Sequence, residues 1–80
     1  MYMYPIDYSL FNEKEIVIIV EFLALIEDAN TGNVKKEYLL RKYQEYRKVI
    51  NSISIEKQID KDFEKVSGFS IYKTIKKYEI

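Results

Sequence analysis

The chain has 80 residues, thirteen basic and thirteen acidic, with no histidine and no cysteine. With 48% hydrophobic and 32% charged residues it reads as one soluble globular domain with a small core and no disulfide to brace it. The inventory excludes thiolate nucleophiles, Ser-His-Asp triads, imidazole acid–base chemistry and His/Cys zinc sites, and the zero net charge gives no general attraction to nucleic acid or an acidic membrane.

Residues 1–11 form an apolar, tyrosine-rich arm, with Pro5 favouring extended backbone before it. The arm lacks the basic and apolar regions of a signal peptide, so the cytoplasm is the expected location. Asn12 followed by Glu15 has the spacing of a capping box, and Phe11 and Ile16 are placed for a hydrophobic staple. The first helix is expected over residues 13–30. Its β-branched run at 16–20 resembles a strand, but the apolar pattern continues through Phe22, Leu23, Leu25 and Ile26 behind a cap, which favours helix. Eleven residues, 16–26, span about 17 Å as helix and are too short to cross a bilayer. Nearly every face of this helix is apolar, as for a helix packed on several sides or one whose spare face meets another chain.

Asn30 to Asn33 supply a stop and a turn. The second helix is expected over residues 34–50, with Tyr38, Leu39, Tyr43, Tyr46 and Ile50 as its apolar stripe and Lys35 and Lys36 opposed to the dipole at its start. Ser52 or Ser54 caps a third helix over residues 55–66, whose core stripe is Ile55, Ile59, Phe63 and Val66. Ser67 and Gly68 end it, Phe69 covers the exposed end, and Ser70 caps a last helix over residues 71–78 with Ile71, Ile75 and Tyr78 on one face. Four helices with short connections predict an all-α fold, a compact irregular array with an extended N-terminal arm, forming a single domain over residues 1–80.

Charge is uneven along the chain. Residues 1–32 carry one lysine against six acids, and residues 33–53 carry six bases against two acids. Attraction between neighbouring helices is the simplest use of that asymmetry. Glu56, Asp60 and Glu64 form an i, i+4 ladder, each beside a lysine, which reads as a solvated, ion-paired face rather than a metal site. Lys73, Lys76 and Lys77 beside Tyr72 and Tyr78 are the candidate nucleic-acid contacts, though three lysines are few for that purpose. Eight tyrosines suit a small core and an interface equally.

Tyr4-Pro5, Phe11 through Glu15-Ile16, Glu27 and Ala29, Leu39-Leu40 with Tyr43, Lys57-Gln58, and above all Ser67-Gly68-Phe69-Ser70 followed by Tyr72-Lys73 and Lys76 resemble uncharacterised protein family 0223, small cytosolic proteins of Bacilli. The resemblance covers Tyr4 to Lys77. It implies a small all-α fold in a bacterial cytosol and brings no activity, cofactor or catalytic residue. The chain departs from the family's pattern at Phe11, where tryptophan is usual, at Lys35, where the helix cap is usually aspartate, and at Asn51, where proline is usual.

The reading that follows is a non-enzymatic module without cofactor or metal that binds a protein partner, with no membrane association. Tyr4, Pro5, Phe69, Tyr72 and Lys73 form its candidate docking surface, and a homodimer through the first helix or the arm is the simplest partner. The alternative is an RNA- or ribosome-associated regulator using Lys73, Lys76 and Lys77, with a steep salt dependence.

Overall fold

The structure, a computed structural model, describes residues 6–79 and is all-α. Four helices follow in order: α1 (Glu13–Thr31), α2 (Lys36–Val49), α3 (Ile53–Ser67) and α4 (Ile71–Glu79). A 3-10 turn over Tyr8–Leu10 precedes them. Tyr2, Tyr4 and Pro5 lie outside the described residues. Where the arm is described it is not wholly extended. Asp7 Oδ1 accepts from the Ser9 N–H at 3.1 Å and from the Ser9 hydroxyl at 2.6 Å, which folds the chain into the turn. These two bonds hold the Asp7 carboxyl below its usual value. Ile6 is buried and Phe11 half-buried against the core, while Tyr8 and Leu10 face outward.

The expected capping box opens α1. Asn12 Oδ1 accepts from the Glu15 N–H at 2.9 Å, and Glu15 Oε1 accepts from the Asn12 N–H at 2.9 Å. Ile19, Phe22, Leu23, Ile26 and Ala29 are buried along this helix, which packs against both α2 and α4 and is the central element. Phe22 stacks on Tyr46 of α2 with ring centroids 4.5 Å apart and on Tyr43 at 5.7 Å. At the far end, Asn30 Nδ2 donates to Thr74 Oγ1 at 2.9 Å and to the Ile26 carbonyl at 2.8 Å. The Thr74 hydroxyl in turn donates to the Ser70 carbonyl at 2.7 Å. This pair satisfies a buried hydroxyl and fixes α4 on α1.

The later helices differ from expectation at their ends. α2 begins at Lys36, two residues later than its apolar pattern suggests. Lys35 occupies the N-cap and makes no side-chain capping bond, so nothing holds the chain helical from Val34. Tyr38 is not part of the core stripe. It is exposed, and Arg41 and Lys42 lie over its ring at 5.4 and 5.7 Å. α3 begins two residues early because Ser52, not Ser54, is the cap, accepting from the Ile55 N–H at 3.4 Å. Val66, one residue from the end of α3, is 44% exposed, so the buried stripe ends at Phe63.

The Ser67–Ser70 junction behaves as a stop, a plug and a start. Gly68 takes the left-handed conformation, φ 80°, with its N–H donating to the Glu64 carbonyl at 2.8 Å. The Phe69 N–H donates to Ser67 Oγ at 3.0 Å, and the Phe69 ring packs on the core. Ser70 Oγ accepts from the Lys73 N–H at 3.2 Å and opens α4. A second cap comes from another helix: Asp60 Oδ1 of α3 accepts from the Ile71 N–H at 2.9 Å.

Candidate binding groove

A groove of about 480 Å³ lies where α2, α3 and the start of α4 meet. α2 contributes Tyr43 and, one helical turn on, Tyr46 and Arg47. α3 contributes Ile53, Glu56, Lys57 and Asp60, and α4 contributes Ile71 and Tyr72. Ile53 and Tyr72 stand at its margin, 72% and 62% exposed. They are large apolar side chains that fold stability does not account for.

The charges of the groove are layered. Glu56 and Asp60 are half-buried, whereas Arg47 and Lys57 are exposed. Arg47 is drawn aside over the Tyr43 ring, 5.7 Å from its centroid. Tyr46 is fully buried, and its hydroxyl has no hydrogen-bond partner among the described residues. Burial pushes its phenol well above the usual tyrosine value, and the nearby Glu56 and Asp60 carboxylates add to that shift. Tyr43 is raised more modestly, mainly by burial, with Arg47 opposing.

The Glu56–Asp60–Glu64 ladder is therefore not the uniform solvated face expected of it. Asp60 caps α4, Glu56 lines the groove, and Glu64 borders a second, shallower groove. Among the described residues no ion pair joins these acids to the adjacent lysines; the ion pairs there join Lys42 Nζ to Glu21 at 3.6 Å and to Glu45 at 3.5 Å. The described residues contain no group of three or more acidic side chains placed to hold a metal ion, and no helix long and apolar enough to cross a membrane.

The residues singled out in the sequence fall in two places. Tyr72 belongs to the main groove, with Lys76 Nζ 5.7 Å from its ring centroid. Phe69, Lys73 and Lys77 instead line the shallower groove of about 220 Å³, together with Asn30 and Glu64. Tyr4 and Pro5 lie outside the described residues. Sequence reasoning missed Tyr46 as a site residue because its spacing with Leu39, Tyr43 and Ile50 marks it simply as core. The one available signal was chemical: a tyrosine in a core position carries a hydroxyl that needs a partner.

Residues 1–79 match the uncharacterised protein family UPF0223. The chain is 45% identical to a UPF0223 protein of Bacillus cytotoxicus over 76 residues, 95% of this chain and 84% of that one. It is 42% identical to one from Streptococcus mutans over 74 residues, 92% of this chain and 79% of the relative. A Streptococcus agalactiae relative is 41% identical over 75 residues, covering 94% and 80% of the two chains. No solved structure matches the chain. With the profile matched over almost its whole length and relatives above 40% identity, the chain belongs to the UPF0223 family, whose function is unknown.

Proposed function

We propose that the chain is a small cytoplasmic, non-enzymatic module that acts by binding a segment of a protein partner in the groove between α2, α3 and α4. The observation that carries this reading is the coincidence of exposed Ile53 and Tyr72 on the rim with a tyrosine-lined interior. Aromatic side chains around a concave apolar surface are the usual anchors of protein recognition. Self-association through α1 has less support. Its outer face exposes Val17 but is interrupted by the exposed charges of Glu21 and Asp28. The nucleic-acid reading also has less support, because Lys73 and Lys77 border one groove with Glu64 while Lys76 turns to Tyr72.

A peptide-display library panned on the full chain tests the reading. Selected peptides should shift the backbone amide signals of Tyr46, Ile53, Glu56, Ile71 and Tyr72. Tyr72→Ala should weaken them about tenfold or more, the cost of truncating an aromatic anchor. Peptides that shift only other surfaces, or bind Tyr72→Ala unchanged, contradict it.

A further inference from the structure

We propose that the groove between α2, α3 and α4 is a receptor for a basic side chain, with Glu56, Asp60 and the Tyr46 hydroxyl receiving an ammonium or guanidinium of the partner. This deepens the docking reading above and rests on it.

The first observation is an unmet hydrogen-bonding group. Tyr46 lines the groove, and its hydroxyl is fully buried with no partner among the described residues. Buried polar groups are nearly always paired, so an orphan on a groove-lining residue points to a group that arrives from outside. The second observation is the order of charges. The half-buried groups are carboxylates, and the cations stand at the exposed margin. Arg47 is already engaged by the Tyr43 ring. The interior thus presents negative charge and aromatic faces, a combination that suits a cation.

The Asp60 carboxylate has one oxygen committed to the Ile71 N–H at 2.9 Å, which leaves its other oxygen as an acceptor. An ammonium has three donors, and Glu56, Asp60 and the Tyr46 oxygen provide a matching set of acceptors. The Tyr46 hydroxyl is closed to solvent, so the incoming group meets the two carboxylates first and reaches the hydroxyl only with local rearrangement around it. The aliphatic stem of a lysine or arginine would meanwhile lie against Ile53 and Tyr72. An anionic partner would find Arg47 and Lys57 only at the exposed margin and would meet the two carboxylates further in.

The test is a titration of the isotopically labelled full chain with Nα-acetyl-lysine methylamide, with Nα-acetyl-norleucine methylamide as the neutral isostere. The lysine probe should shift the amides of Tyr46, Glu56, Ile71 and Tyr72 saturably and bind at least fivefold tighter than the norleucine probe. Glu56→Gln should remove about tenfold of that affinity, the effect of losing one charge-assisted hydrogen bond. Tyr46→Phe should weaken it severalfold while leaving the amide spectrum of the free protein folded. Equal binding of the two probes overturns the cation preference and leaves the docking reading standing. Absence of saturable shifts at the groove overturns the inference too, and the peptide selection with Tyr72→Ala then decides separately whether the groove docks anything. Selected peptides that bind the groove without any basic residue likewise overturn the inference alone.

Discussion

Tyr46 carries the most information of any side chain here. Its ring stacks on Phe22 in the core, and its hydroxyl meets no partner among the described residues. Leaving such a group unpaired costs about 1–3 kcal/mol, so Tyr46→Phe is expected to leave stability at neutral pH unchanged or raise it by about 1 kcal/mol in urea unfolding. A loss beyond about 1 kcal/mol would show that the hydroxyl is paired in solution. The phenol also sets a pH dependence. In the unfolded chain tyrosine ionises near 10.0, whereas burial and the neighbouring carboxylates raise the folded value well above it. Above pH 10 the unfolded state therefore loses a proton that the folded state keeps. The contribution is fully present below pH 10 and is lost as pH rises further. Tyr46→Phe should move alkaline unfolding to higher pH. The spacing of residues 39, 43, 46 and 50 places Tyr46 in the core from sequence alone. Thr74 shares the helical face of Ile71, Ile75 and Tyr78, but a polar hydroxyl carries no hydrophobic signal that marks it as core. Its pairing with Asn30, forty-four positions away, has no local signature.

At the scale of elements, the helix ends follow from single residues. Asn12, Ser52 and Ser70 act as caps in the way their side chains dictate, and the capping box of α1 outweighs the strand-like run of residues 16–20. α2 is the poorly started helix, with Lys35 at its N-cap and Lys36 in its first turn. Lys35→Asp should supply the missing acceptor and suit the dipole, raising stability by about 1 kcal/mol in thermal unfolding. No gain would mean that the chain at residues 33–35 is held by other contacts. Gly68 is the opposite case. A Cβ there meets nothing within 4 Å, yet φ is 80°, so Gly68→Ala should cost about 1 kcal/mol from backbone conformation alone. A larger loss, with new contacts in the structure of the variant, would contradict that assignment. The second cap of α4 was invisible in the sequence, because Asp60 reaches Ile71 across the α3–α4 turn, and only the tertiary arrangement brings the two together.

At the scale of the whole molecule, four amphipathic helices enclose one small core around α1, with a radius of gyration of 11.8 Å, close to the roughly 12 Å of a compact domain of this length. The all-α class was legible because caps, periodicity and short connections agree with one another. The groove was not. Its walls come from residues 43–47, 53–60 and 70–72, and no one segment carries a pattern that marks it. The early start of α3 matters here, since it makes Ile53 the first helical residue and puts it on the rim. The same geometry separates Tyr72 from Phe69 and Lys73, which the linear sequence places in one patch.

The most direct measurement of the central claim is partner capture from the host cell at near-physiological salt, with and without nuclease, comparing the tagged full chain with its Ile53→Asp/Tyr72→Ala variant. Both exchanges lie at exposed positions, and circular dichroism should show the same helical content for the two proteins. The account predicts a stoichiometric protein that survives nuclease, is held by the parent chain and is lost from the variant. A partner retained by the variant, or a set of partners released by nuclease, would contradict it.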